Sequence, residues 1–297
     1  MFEMGAETMG LPLAEKMEFE QGDDGQSPGY KAAGFTMTDE YGSLDTIEFL
    51  NVSKDDALAY PSVIHRTYPS TVNARMNSTI KPFVEKSLEI NYTFLSIFEK
   101  KLALPPGALL GRHSIEDISG SEARCLRSPL NRDPQAKDKV ALGAHTDFGS
   151  LSFLHNRLGG LQVFPPGVET WQYVRPLPGH AVCNIGDALT LFSGGILRSN
   201  LHRVVPPPSV QAAHERYSIV FFTRPGNDVL LRALADESEL IKEALEKMVP
   251  EERKKFEPGA TARKWFTRRN KNERTKNRTG PETWRASRGM EYKPEVI

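Results

Sequence analysis

The sequence predicts a mostly β protein with flanking helices, and three observations carry that expectation. From about residue 120 to 230, short apolar runs alternate with Gly and Pro punctuation, the texture of an antiparallel sandwich or barrel. Ahead of that stretch, residues 71–103 repeat apolar side chains near the helical period. Behind it, residues 236–256 return to a helical pattern and run into a basic, polar tail. The 297 residues suffice to bury such a core. The expected organisation is an N-terminal helical region over 1–110, a β core over 111–230, and a C-terminal helical, basic tail over 231–297.

Taken in order, residues 1–20 read as helix, and 21–35, rich in Gly, Asp, Ser and Pro, read as a loop. In 71–103 the residues Ile80, Val84, Leu88, Leu95, Phe98 and Leu102 fall on one stripe. Pro105-Pro106-Gly107 ends that helix, which is expected to be a scaffold packed on a sheet. Residues 151–154, 161–164, 171–175, 181–185, 202–205 and 217–223 each read as strands. Gly159-Gly160, Pro165-Pro166-Gly167, Pro178-Gly179, Gly194-Gly195 and Pro206-Pro207-Pro208 are the turns between them.

Composition narrows the function. Lys plus Arg equals Asp plus Glu, 38 against 38, so no bulk charge points to nucleic acid or an anionic membrane. No stretch reaches the roughly 18–20 apolar residues of a membrane span. The opening ten residues lack the basic start of a signal peptide, and Glu3 and Glu7 interrupt their apolar run. With only Cys125 and Cys183, a disulfide framework is not expected, and a reducing, cytoplasmic setting follows. Charge is nevertheless uneven. Residues 1–24 carry seven acids against one base, and 264–278 carry seven bases against one acid. The basic run reads either as an anion patch or as a solvated helical tail, and the second is the expectation.

The chemistry concentrates in His145-Thr146-Asp147. Residues i and i+2 of a strand share a face, which sets an imidazole beside a carboxylate. His202, 55 residues past Asp147, offers a third ligand from a later strand. Two histidines and one carboxylate on one face of an octahedral ion leave the remaining positions open, the facial triad of non-haem Fe(II) oxygenases. A structural zinc site would more often use thiolates and close its coordination. Arg216 and Ser218, 14 and 16 residues past His202, also share a strand face. Their fork and hydroxyl suit the far carboxylate of a dicarboxylic co-substrate that chelates iron through its 2-oxo acid, as 2-oxoglutarate does.

With these residues in place, the chain resembles the 2-oxoglutarate and Fe(II)-dependent dioxygenases of the isopenicillin N synthase-like superfamily, and their fungal members in particular. The likeness rests on Gly143-Ala-His-Thr-Asp-Phe-Gly-Ser150, Gly159-Gly-Leu-Gln-Val163, Pro176-Leu-Pro-Gly-His180, Asn184-Ile-Gly-Asp187, Ser199-Asn-Leu-His-Arg-Val204 and Arg216-Tyr-Ser218. It is dense over about 120–230. The resemblance implies a double-stranded β-helix, or jelly-roll, core. It also implies Fe(II), 2-oxoglutarate and O2, with ascorbate a candidate reductant. The implied reaction hydroxylates or desaturates a small molecule, a fungal secondary metabolite by this likeness, and releases succinate and CO2. Two departures stand out. The family's usual first strand-helix segment is missing ahead of residue 1, which leaves a sheet edge open to question. Ser128 stands where relatives often carry a Tyr that helps bind 2-oxoglutarate.

Other residues are read as structural. Phe148, Leu154 and Phe221 are expected in the core, and Cys183 as a small core residue of an apolar strand. Asp187 is expected to hold a turn, and Arg203 to face away from His202. His155, His180 and His214 lack partners at ligand spacing. Residues 121–139 and the C-terminal helices are expected to shape the pocket. Two competing functions remain: an Fe(II) oxidase independent of 2-oxoglutarate, whose substrate carboxylate uses Arg216 and Ser218, and a truncated, non-catalytic jelly-roll paralogue.

Overall fold

The computed structural model describes residues 1–130 and 140–291. In chain order the elements are α1 (Phe2–Gly10), α2 (Leu13–Met17), β1 (Gly29–Lys31), β2 (Glu48–Ser53), α3 (Lys54–Ala59), α4 (Ser70–Asn73) and α5 (Lys81–Lys101). Then follow β3 (Glu122–Ser128), β4 (Leu142–His145), β5 (Leu151–Asn156), β6 (Leu161–Phe164), β7 (Gln172–Tyr173), β8 (Val182–Ile185), α6 (Asp187–Phe192), β9 (Leu201–Val204) and β10 (Arg216–Thr223). The chain ends with β11 (Leu230–Leu231), α7 (Glu239–Glu246), α8 (Pro250–Arg253), β12 (Ala260–Thr261), α9 (Ala262–Glu273) and α10 (Pro281–Arg288).

Among the described residues, a six-stranded sheet runs β1-β2-β3-β10-β5-β8 and a four-stranded sheet runs β4-β9-β6-β7, both antiparallel. Side chains of both sheets line one cavity between them, the jelly-roll arrangement expected. The strands read from the sequence are present within a residue or two, except that 171–175 shrinks to the two-residue edge strand β7. Three strands of the large sheet carried weak signals. β1 lies inside 21–35, the stretch expected as loop, and β2 and β3 are buried on both faces, so their polar residues break any alternation.

The long helical stretch divides. A π-helical turn at Met76–Ile80 precedes α5, whose Pro82 at the first turn is tolerated because its missing N–H would be unpaired there. Of the predicted stripe, Ile80, Val84, Leu88, Leu95 and Leu102 are buried and Phe98 is half-buried, while Phe83 meets Phe221 of β10 edge to face. On the same outer face of the sheet, α1 lies directly on β3. A Cβ on Gly5 would overlap the Cys125 sulfur, so glycine sets this approach.

The basic run 264–278 is not a solvated tail. Arg269 and Arg274 are buried. Arg274 donates to Glu20 Oε1 at 2.9 Å and Gln21 Oε1 at 3.0 Å, and Lys276 pairs with Asp23 at 2.8 Å. The acidic opening segment and the basic closing segment therefore meet, which neither shows alone. Of the stretch 121–139, residues 122–128 are β3, and 131–139 lie outside the described residues. No described helix is long and apolar enough to cross a membrane.

Candidate active site

His145 ends β4 and His202 lies in β9, and the antiparallel register pairs them directly. Asp147 does not share their strand. It follows β4 in a loop, so strand alternation is not what aims it, contrary to expectation. Backbone hydrogen bonds fold that loop instead: Thr146 N donates to Arg288 O at 2.9 Å, Asp187 N to Asp147 O at 2.8 Å, and Ser150 N to Thr223 O at 2.8 Å. A Cβ on Gly186 would overlap the Gly149 carbonyl oxygen, which is why Asn184-Ile-Gly-Asp187 carries glycine at its third position.

The result is a compact donor set. Asp147 Oδ1 lies 3.9 Å from His145 Nε2 and 3.7 Å from His202 Nε2, and the three ligand atoms all fall within 4.8 Å of one another. Each ring is oriented from behind. His145 Nδ1 lies 2.8 Å from Gly143 O, and His202 Nδ1 lies 3.0 Å from Asn200 O. A carbonyl can only accept, so Nδ1 carries the proton in both rings and Nε2 presents its lone pair. Asp147 Oδ2 accepts from Ser152 Oγ at 2.5 Å and Asn184 Nδ2 at 2.6 Å, which leaves Oδ1 facing the histidines. Ser152 and Asn184 are themselves cross-strand partners on β5 and β8.

Electrostatics agree with this geometry. Burial, with His202 alongside, pushes the His145 imidazolium down to about 3, so the ring is neutral. Burial works against ionisation of Asp147, but His202, His145 and the bonds from Asn184 and Ser152 hold its carboxyl down at about 2. Two imidazoles and a carboxylate could hold a divalent cation of intermediate softness, with no thiolate in the set.

The cavity beside this cluster measures about 340 Å³, and Leu154, Leu161, Val204 and Phe222 give it apolar walls. Arg216 and Ser218 project into it from β10. Arg216 is 1% exposed, has no carboxylate partner among the described residues, and burial pushes its guanidinium down to about 10. Its Nε donates to Gly159 O at 2.8 Å, while its Nη2 and the Ser218 Oγ are buried with no hydrogen-bond partner among the described residues. Ser128 lies opposite Arg216 in the β3–β10 register. Arg124 also reaches the cavity, stacked between Phe49 and Phe222 at 3.9 and 4.8 Å.

Several expectations are refined here. Leu154 lines the cavity, whereas Phe221 is core and Phe148 packs under Arg269. Cys183 is exposed, not core, because β8 is an edge strand whose inward position goes to Asn184. Arg203 does face away, onto Gln162 and Trp171. Asp187 does more than hold a turn. Fully buried at the start of α6, it accepts from Ser199 Oγ at 2.6 Å, Thr146 Oγ1 at 3.0 Å, Met290 N at 3.1 Å, and Arg269. Ser152 escaped sequence reasoning. Its only signal was an inward place two residues ahead of Leu154 on one strand.

Comparison with known proteins places these features in context. The family model described as the 2OG-Fe(II) oxygenase superfamily matches residues 122–225. A 2-oxoglutarate-dependent dioxygenase of Aspergillus fumigatus is 38% identical over 157 residues, 47% of this chain and 41% of that protein. The 2-oxoglutarate-dependent dioxygenase frbH of a Dothideomycetidae species is 31% identical over 229 residues, 75% of this chain and 67% of that one. The chain thus spans about two fifths of the first relative's length and two thirds of the second's. In fold, it is similar to a full-length Neurospora crassa protein solved in complex with alpha-KG and 5-formyluracil. The TM-score is 0.70 at 23% identity, covering 91% of this chain and 80% of that one.

Proposed function

The chain belongs to the 2OG-Fe(II) oxygenase superfamily, and from that premise we propose that it is a 2-oxoglutarate-dependent dioxygenase that oxidises a small organic molecule. The observation that carries this reading is the pair of buried, unpartnered donors on Arg216 and Ser218, opening into the cavity that His145, Asp147 and His202 line. A buried cation and hydroxyl without partners are costly, and an anionic ligand offsets that cost.

In this reading His145 Nε2, His202 Nε2 and Asp147 Oδ1 hold Fe(II). Arg216 and Ser218 take the distal carboxylate of 2-oxoglutarate through charge-assisted hydrogen bonds. Iron bound there would supply O2 activation coupled to oxidative decarboxylation of 2-oxoglutarate, yielding succinate, CO2 and an oxidised substrate. The protein's share is positional. Gly143 and Asn200 carbonyls keep both imidazoles in the ligating tautomer, and Ser152 and Asn184 keep one carboxylate oxygen turned to the metal. Leu154, Leu161, Val204 and Phe222 would give the reacting bond an apolar surround. Arg124 offers the substrate a cationic, aromatic-flanked contact in the same cavity. Hydroxylation and desaturation both fit, and the fungal likeness supports a secondary metabolite as substrate. Two cysteines left unpaired support a reducing, cytoplasmic setting.

The test is an anaerobic titration of the Fe(II)-loaded protein with 2-oxoglutarate, following the visible charge-transfer band of the chelate. A saturating band that Arg216→Ala weakens supports the assignment. Iron binding without a band overturns it and leaves an oxidase that ignores 2-oxoglutarate, for which succinate would not accumulate during turnover.

A further inference from the structure

The C-terminal helices line an open pocket of about 270 Å³ that shares no lining residue with the active-site cavity. Of its eight lining residues, four are cations (Lys255, Arg268, Arg269 and Arg285) and none is Asp or Glu. Asp187 balances Arg269. Lys255, Arg268 and Arg285 are exposed and have no carboxylate partner among the described residues.

The floor of this pocket is built, not incidental. Arg269 is 2% exposed, and its Nε and Nη2 have no hydrogen-bond partner among the described residues. Trp265 Nε1 is buried beside it, also unpartnered. Phe148 at 4.2 Å and Trp265 at 5.2 Å attend the Arg269 guanidinium as aromatic neighbours, and neither ring supplies an acceptor for its in-plane N–H groups. All of these groups are donors, and what would satisfy them is an acceptor-only ligand. Three unbalanced cations around two buried donor groups call for more than one negative charge and several oxygens. A phosphate dianion has both, and Arg forks match its geometry.

We propose that this pocket binds a phosphate dianion, free or as the terminal group of a monoester. Its floor connects to the metal centre. Arg269 donates to Asp187, and Asp187 accepts from Thr146, the residue between His145 and Asp147. A phosphate on Arg269 sits at the far end of that chain.

Isothermal titration of the 297-residue chain with inorganic phosphate, and separately with adenosine 5′-monophosphate, at constant ionic strength tests the site. Saturable one-site binding is expected for at least one of them. Tighter binding of the nucleotide assigns a monoester, and equal or tighter binding of phosphate assigns the free ion. Replacing the exposed Arg268 and Arg285 together by Ala weakens binding by at least about tenfold. Trp265→Phe removes the indole N–H while retaining an aromatic ring, and weakens binding without relying on the double variant. Arg216→Ala leaves binding unchanged. The proposal is overturned by an absence of saturable heat with both ligands, by unchanged affinity in both pocket variants, or by loss of binding in Arg216→Ala, which would put the anion in the active-site cavity.

Discussion

His145 and His202 face each other across the β4–β9 ladder with ring centroids 4.3 Å apart, although 57 positions separate them in the chain. Each Nδ1 is committed to a backbone carbonyl, so neither ring can turn away without leaving that acceptor unpaired. In the proposed metal site, removing one ring removes one ligand and leaves the other in place. His145→Ala or His202→Ala should lower Fe(II) affinity by about a hundredfold or more and abolish turnover. Equilibrium dialysis with Fe(II) checks this, and near-normal affinity in either variant would remove that histidine from the metal site.

Arg216 has no counter-ion among the described residues, so its replacement should separate binding from stability. Arg216→Met should raise the dissociation constant for 2-oxoglutarate by roughly a hundredfold. It should leave Fe(II) affinity unchanged. In the absence of 2-oxoglutarate the same variant should be more stable, by on the order of 1 kcal/mol, because a buried unpaired cation has been removed. Chemical denaturation of the ligand-free proteins reads the second effect, and a clear loss of stability would mean the guanidinium is satisfied in some other way.

The Asp147 carboxylate is aimed by Ser152 and Asn184, which grip its other oxygen. Asn184→Ala should weaken Fe(II) binding by about ten- to a hundredfold while the 2-oxoglutarate requirement, measured at saturating iron, stays close to that of the parent. Equal loss of both affinities would indicate collapse of the cavity and not a positioning role.

His113 links the fold to pH. Its Nε2 lies 2.7 Å from Ser150 Oγ and its Nδ1 2.7 Å from Leu109 O, and burial pushes its imidazolium down to about 4. The folded value lies below the unfolded one, so the folded state favours the neutral ring. Its contribution is complete above the unfolded value near 6.5 and is lost as pH falls toward 4. Between pH 7 and pH 5 the loss should amount to about 2 kcal/mol. Urea melts of the parent and of His113→Gln at the two pH values check it. The variant should lose less stability across that interval, and an identical loss would show that His113 does not titrate differently on folding.

The sequence by itself picked out the candidate site residues and the strands that carry most of them. Alternation along one strand suffices to put Arg216 and Ser218 on a common face, and a strand reading of 202–205 suffices to place His202 in the barrel. The apolar stripe of α5 was legible for the same reason, since side-chain periodicity is a local property of the backbone. What only the tertiary structure decided depends on groups far apart in the chain. Asp147 reaches the histidines through a loop that bonds to residues near 187, 223 and 288, so no local period could aim it. Arg269 is neutralised by Asp187, and Arg274 and Lys276 by Glu20 and Asp23, because packing brought oppositely charged segments together. Long-range pairing is set by which surfaces must leave water together, and a linear charge pattern carries no record of that choice.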